Sequence, residues 1–361
     1  MVSNKYHLGD LIKQRREKNP GGNLPIRGVS KDGLQPPKQI DADTSIYNVY
    51  YRNDFIFNPA RMELGSIAFN NEYDKAICSS LYEVFYVYRT DLVMPEYLAL
   101  FVKHPEFARY CNYIGNGSAR EYCRFDNISE IPIVLPSLPE QRKIVHNYQV
   151  ITDRIELLRK MNENLYSYLN EHFNRIATSA TSFIPLSDIC GYVSDKEDFG
   201  NLPLQNYLST ENLLQNKQGL AGFGETEDDV RVTHFKTEDT LISNIRPYFK
   251  KIWFATTSGG CNTDVLCFRA HDPKEACFVN AVLYQDKFFD YVMSGAKGTK
   301  MPRGDKNHIM QYPVPMLSQE SKNEFMTLAE KIQSLQAINK REMDALNQVL
   351  ILSISNITQG A

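Results

Sequence analysis

From Gln141 onward, apolar residues recur in steps of three and four: Ile144, Tyr148, Ile151, Ile155 and Leu158, then Leu165, Leu169, Phe173 and Ile176. The opposite positions are polar (Arg142, Lys143, Arg154, Glu156, Arg159, Lys160, Glu163), so the pattern predicts one amphipathic helix of about ten turns. The same pattern returns near the end of the chain with Phe325, Leu328, Ile332, Leu335, Ile338, Leu346 and Val349, weakest around Asn339–Glu342. A helix of roughly 38 residues at 1.5 Å per residue is ~57 Å long, wider than a domain of roughly 140 residues. One narrow stripe on so long a helix needs a partner stripe, and each helix offers one to the other. The expectation is an antiparallel, coiled-coil-like pair joining two globular units, with Gln141, Ile144, Ile151, Ile155, Leu158, Phe325, Leu328, Ile332 and Leu335 forming the helix pair and partner-binding surface.

Before each helix the pattern is mixed, which predicts an α+β class. Ile46–Tyr50, Phe55–Asn58, Ser66–Phe69 and Leu81–Tyr88 are rich in aromatic and β-branched residues and read as strands, whereas Met94–Val102 and Pro105–Ile114 read as helices. Thr240–Ile245, Lys251–Ala255 and Val265–Arg269 read as strands again, followed by helical Ala276–Gln285. Three segments recur in the same order. His7–Ile12 resembles Pro185–Cys190, Asp54–Arg61 resembles Asp239–Arg246, and Gly117–Ile133 resembles Gly298–Val314. Shared order predicts two diverged copies of one unit with a pseudo-two-fold relation.

Composition narrows the class. The chain has 361 residues, 42% hydrophobic and 23% charged, as expected of a globular protein of about two domains. Seven cysteines without a C-x-x-C pair argue against a disulfide framework or a zinc ribbon. No apolar run reaches the roughly 18 residues of a membrane span, and MVSNKYHLGDLIKQRR has no apolar signal core, so the chain is expected in the cytoplasm without a metal.

Catalytic signatures are missing. Gly219–Gly224 lacks the dinucleotide-binding spacing, Gly295–Lys300 lacks the Walker spacing, and Asn58-Pro59-Ala60-Arg61 lacks the aromatic that stacks on a flipped base. Asp305 with Glu320 and Lys322 could be read as a metal-assisted nuclease site, but Glu320 and Lys322 are more simply the charged opening and solvated surface of the second long helix. The chain is therefore not expected to be an enzyme. Cations gather instead in two glycine-broken loops: Lys297, Lys300, Arg303 and Lys306 in one, Arg120 and Arg124 in its counterpart. These are the candidate DNA-binding residues, since Lys and Arg on such backbone serve phosphate neutralisation and groove contacts. Net charge is only −3, residues 1–138 hold 16 basic and 16 acidic side chains, and 179–316 hold 14 and 17. That balance predicts weak DNA binding by the chain alone.

Leu135-Pro-Ser-Leu-Pro-Glu-Gln-Arg-Lys-Ile-Val145, followed by Ile151-Thr-Asp-Arg-Ile155, resembles the conserved segment of DNA specificity subunits of type I restriction-modification systems. The openings His7–Ile12 and Pro185–Ile189 resemble the starts of that family's target-recognition domains. The second helix departs from the motif, reading Val314-Pro-Met-Leu-Ser-Gln-Glu320. The resemblance implies recognition domains at 1–138 and 179–316, conserved long helices at 139–178 and 317–355, and a tail at 356–361. It also implies a non-catalytic ruler on double-stranded DNA: each domain reads half of a bipartite target and the helices set the gap. Two methylation subunits, which bind S-adenosylmethionine, would dock on the helices, and restriction subunits could join them; no cofactor is expected on this chain. Two rivals share its lack of an active site: a coiled-coil protein adaptor without DNA contact, and the detached specificity half of a fused restriction enzyme.

Overall fold

The structure is a computed structural model that describes residues 4–31, 33–37, 40, 43–115, 122–198, 206–226, 230–355 and 357. It divides into two units, Met1–Leu158 with Arg341–Ala361, and Arg159–Lys340.

The first unit opens with β1 (Asn4–His7), β2 (Ile12–Arg15), β3 (Gly28–Ser30), β4 (Gly33–Gln35) and β5 (Asn48–Tyr51). It continues with β6 (Phe55–Phe57), β7 (Ile67–Phe69), β8 (Lys75–Cys78), β9 (Glu83–Val87), α1 (Pro95–Phe101), α2 (Pro105–Gly115), α3 (Phe125–Ser129) and β10 (Pro132–Leu135). An antiparallel sheet in the order β2-β9-β6-β7 forms its centre, and β1 pairs separately with β10. The sheet register sets Phe55 opposite both Phe85 and Phe69, with ring centroids 4.8 and 5.0 Å away. Each fully buried Phe contributes about 2 kcal/mol. The strand expected from Ile46 begins at Asn48, because Thr44–Ile46 is a 3-10 turn capped by Asp43.

After α4 (Leu138–Ala177), the second unit repeats the plan. Its elements are β11 (Phe183–Pro185), β12 (Cys190–Tyr192), β13 (Lys196–Asp198), β14 (Tyr207–Leu208), β15 (Arg231–Phe235), β16 (Thr240–Ser243), β17 (Ile252–Phe254), β18 (Gly259–Cys261) and β19 (Val265–Ala270). Then come α5 (Ala276–Leu283), α6 (Asp286–Ser294), α7 (Lys306–Met310), β20 (Pro313–Pro315) and α8 (Gln319–Ser355). The central order β12-β19-β16-β17 matches β2-β9-β6-β7 position for position, and β11 pairs with β20 as β1 pairs with β10. The copies differ in the flanking strands. The first unit has the two-stranded pairs β3-β4 and β5-β8, the second the four-stranded sheet β13-β15-β18-β14.

A buried carboxylate marks the same place in both copies. Asp54 and Asp239 stand just before β6 and β16; Asp54 takes a two-point bond from Arg15, and Asp239 one from Arg269 at 2.8 and 2.6 Å. Asp239 is 2% exposed. Asp239→Asn keeps the shape but removes the charge that answers Arg269, so a loss of about 2 kcal/mol is expected in urea unfolding. A change below about 0.5 kcal/mol would mean that the pair adds little to the fold.

The long helices contribute to both units. In the second, α4 and α8 run antiparallel: Asn339 meets Asn162, and Phe325 lies edge-on to Phe173 at 5.5 Å. The seam follows Phe325, Ala329, Ile332, Gln336 and Asn339 in alternating steps of four and three. Leu335, expected in the helix pair, is off this seam and 39% exposed. Asn339, where the apolar stripe is weakest, is instead 3% exposed and donates to Asn162 Oδ1 at 2.7 Å, while Gln336 donates to the Asn162 carbonyl. In the first unit, Ile155 and Leu158 are buried, Ile151 is half-buried, and Arg154 pairs with Glu342 at 2.7 Å. Ile144 packs on the core of that unit. Gln141 departs further from expectation. It is fully buried, accepting from the Met94 N–H and donating to the Leu92 and Pro136 carbonyls. In the other copy Phe325 and Ile332 are core residues, with Leu328 packed against them. Lys322 is not free surface: it pairs with Glu275 and lies 4.9 Å from the Phe278 ring centroid.

Candidate nucleic-acid interface

The cation-rich loop of the second unit is built as a small hairpin. Lys297 and Arg303 exchange backbone bonds at 2.9 Å in both directions, and Gly298 supplies the left-handed turn (φ 95°). The outer edge of this hairpin lies along the segment after β16. Ile245 bridges to Arg303, and the Arg246 N–H donates to the Pro302 carbonyl at 2.8 Å. A β-carbon on Gly304 would stand 2.8–2.9 Å from Val292, Asn244 and Ile309, so only glycine permits this approach.

The hairpin side chains fare differently. Lys297 pairs with Asp305, and Arg303 makes a two-point pair with Asp264 at 3.1 and 3.3 Å. Lys300 is exposed at the tip and pairs with no carboxylate among the described residues. Lys306 lies in no loop: it is the first residue of α7, with Nζ 5.6 Å from the Tyr192 ring centroid. The loop ends there because Asp305 caps α7, accepting from the Asn307 and His308 N–H groups at 3.0 and 3.2 Å. Lys297 and those N–H groups hold the Asp305 carboxyl at about 2. The charged cap is therefore present above the ordinary carboxylate range and is lost only as pH falls through about 2. Capping is thus the role the structure gives Asp305 in place of nuclease chemistry. Among the described residues no group of His, Cys, Asp and Glu is arranged to hold a metal ion.

In the first unit, Arg120 lies outside the described residues. Arg124 immediately precedes α3, and its guanidinium lies 3.5 Å from Glu83 and 5.5 Å from the Tyr122 ring centroid. Glu83 also accepts from the Phe125 N–H and from Gln14. Of the candidate cations described, Arg124, Lys297 and Arg303 are thus already answered by carboxylates.

The segment between β16 and β17 carries features that motif reading missed. Arg246 has left-handed backbone (φ 50°, ψ 64°), a conformation that costs a non-glycine residue roughly 1–2 kcal/mol. It is half-buried, and its Nε is sealed from solvent without a hydrogen-bond partner. Asn244 is 8% exposed, and neither its Oδ1 nor that of nearby Asn262 accepts a hydrogen bond. Tyr248 stands exposed beside them. The only sequence signal was the Asp54–Arg61 to Asp239–Arg246 repeat, which gives positions but not burial.

Residues 5–166 match the family described as type I restriction modification DNA specificity domain. The match takes in the first copy of the repeat and the first part of α4. It is similar to the EcoDI specificity subunit of the type I restriction enzyme of Escherichia coli, with 21% identity, covering 98% of this chain and 85% of that one. In fold it is similar to the S subunit of a type I restriction-modification system from M. genitalium, with TM-score 0.57, 12% identity, and 99% and 96% of the two chains covered. A chain from a structure of complex assembly and conformational transition in the type I R-M system gives TM-score 0.50 at 15% identity, covering 99% and 97%. Like that S subunit in fold, this chain has two mixed α/β units joined by two long helices, the architecture expected from its periodicity. The matched region ends at residue 166, so the second copy, whose helix opening departs from the motif, lies outside it.

Proposed function

We propose that this protein is the non-catalytic DNA-reading subunit of a type I restriction-modification complex. Each unit reads one half of a split double-stranded target, and α4 and α8 set the gap. The observation that carries this reading is the repeat itself: one central sheet order built twice, with different strands flanking it in each copy. A shared scaffold with different flanks suits two half-sites of different sequence. Other subunits of the system assemble on the chain and supply the chemistry, two methylation subunits among them. S-adenosylmethionine would then be held by those partners.

The exposed apolar residues of α4 suit such docking. Val150, Leu157, Met161 and Tyr168 recur in steps of seven and four away from the seam, and all are exposed. Val150→Asp with Leu157→Asp is expected to weaken capture of a methylation subunit at least tenfold. Stability should change by no more than about 0.5 kcal/mol, because neither residue is in the core. Retained affinity would place the docking surface elsewhere.

The reading as a whole is tested by DNA retention at graded salt and by mapping methylated adenines in cells with and without the chain. Weak retention by the chain alone, tight salt-sensitive retention with the methylation subunit, and a bipartite methylated motif are expected. Complex formation without DNA retention would favour a protein adaptor.

A further inference from the structure

Outside α4 and α8, the described arginines meet a carboxylate or another hydrogen-bond acceptor: Arg15, Arg16, Arg27, Arg52 and Arg89 in the first unit. So do Arg109 and Arg124, and in the second unit Arg231, Arg269 and Arg303. Arg61 and Arg246 are the exceptions, with neither an ion pair nor a side-chain hydrogen bond. They also occupy the same place in the repeat. Position for position, β6 and β7 of the first sheet correspond to β16 and β17 of the second, and each arginine lies in the connection between those strands.

Two observations separate Arg246 from ordinary surface charge, whereas Arg61 is exposed and is tied to it by its place in the repeat. Arg246 is half-buried with its Nε cut off from water, and Asn244, more than nine-tenths buried two residues earlier, leaves its side-chain Oδ1 without a donor. Burying polar groups unpaired is unfavourable in the free protein and becomes favourable when a ligand completes their bonds. The local backbones also differ. Arg61 sits inside a 3-10 turn (Pro59–Leu64), while Arg246 precedes one (Pro247–Phe249). Packing therefore does not impose a free arginine at this point twice in the same way. A guanidinium fork fits paired acceptor atoms, which DNA offers at the guanine edge (O6 and N7) and at the phosphates.

Resting on the DNA-reading function above, we propose that Arg61 and Arg246 are the specificity-determining arginines, one for each half-site, each offering its guanidinium to paired acceptors of the DNA. Arg124 and Arg303, tied to Glu83 and Asp264, instead shape the loops around them.

The test uses the full chain assembled with its methylation subunits. Adenine methylation of a randomised target library is read for the wild type and for Arg61→Gln, Arg61→Lys, Arg246→Gln and Arg246→Lys, with melting temperatures alongside. A guanine contact predicts that Arg246→Gln and Arg246→Lys both lose about 10- to 100-fold discrimination at one position of one half-site. The Arg61 variants would do the same in the other half-site only. A phosphate contact predicts a uniform loss for Gln with an unchanged motif and a salt slope lower by about one, largely restored by Lys. The guanine pattern, split between the half-sites in this way, supports the proposal, and the phosphate pattern, which leaves the motif unchanged, overturns the specificity-determining role. Wild-type motif and rate in all variants would overturn it, and so would losses that follow melting temperature alone. A wild-type complex that methylates no defined sequence would overturn the functional reading itself.

Discussion

Gln141→Ala is expected to destabilise the protein by about 3–5 kcal/mol, measured by urea unfolding. The Gln141 side chain is fully buried and makes three hydrogen bonds: it accepts from the Met94 N–H at 2.9 Å and donates to Leu92 O at 2.8 Å and Pro136 O at 2.9 Å. Truncation leaves a partly buried donor and two partly buried carbonyls unpaired, each costing about 1–3 kcal/mol before relaxation, with a cavity besides. Water entering the cavity would recover part of the cost. Gln141→Met, which keeps the volume but not the bonds, should recover only the packing share. A loss below about 1 kcal/mol for Gln141→Ala would show that this clamp does not hold α4 to the start of α1.

The clamp explains the Leu135–Val145 segment in physical terms. Ser137 and Glu140 form a capping pair at the start of α4: the Glu140 carboxylate accepts from the Ser137 N–H and hydroxyl, which holds it below the usual carboxylate range. Pro136 supplies one of the carbonyls that Gln141 satisfies. The second copy reaches the same end by other chemistry. Gln141 and Met94 correspond, 181 residues on, to Lys322 and Glu275, which form an ion pair at the opening of α8 and the start of α5. A bond from a side chain to the backbone in one copy is an ion pair in the other, so no shared motif marks it.

How much could be read in the sequence follows from what each feature depends on. The helices were legible because their apolar period extends over about ten turns, and the two copies because strand-rich and helix-rich segments recur in order. The coiled-coil register was not. Leu335 and Ile338 are apolar and exposed, whereas Gln336 and Asn339 are polar and face Asn162. A stripe drawn through hydrophobic residues alone leaves the seam where the seam is polar. The four-stranded flank of the second unit was missed because its strands are short and partly glycine, as in Gly259–Cys261. In the candidate interface, spacing located the cations but could not show which are neutralised. Arg303 meets Asp264 from 39 residues away, while Arg246 meets no carboxylate. Pairing of that kind is a product of the fold.

Lengthening both helices by four residues is expected to widen the gap between the methylated half-sites by one to two base pairs without changing either half-site sequence. The insertions belong between Leu158 and Asn162 in α4 and between Asn339 and Glu342 in α8. There they leave the Arg154–Glu342 pair on one side and the Asn162–Asn339 contact on the other. Four residues add about 6 Å of helix, and a base pair rises ~3.4 Å. Inserting in both helices keeps them in step, so Asn162 keeps its partner at the polar layer, and the four-residue stutter is taken up by a slight local unwinding of the pair. An insertion in α4 alone would set Asn162 against the wrong turn of α8 and leave buried amides unpaired, so lower stability is expected together with a blurred gap. Mapping methylated adenines in cells carrying each variant gives the gap directly. A fully active double-insertion variant with the original gap would show that α4 and α8 hold the units together without measuring the DNA between them.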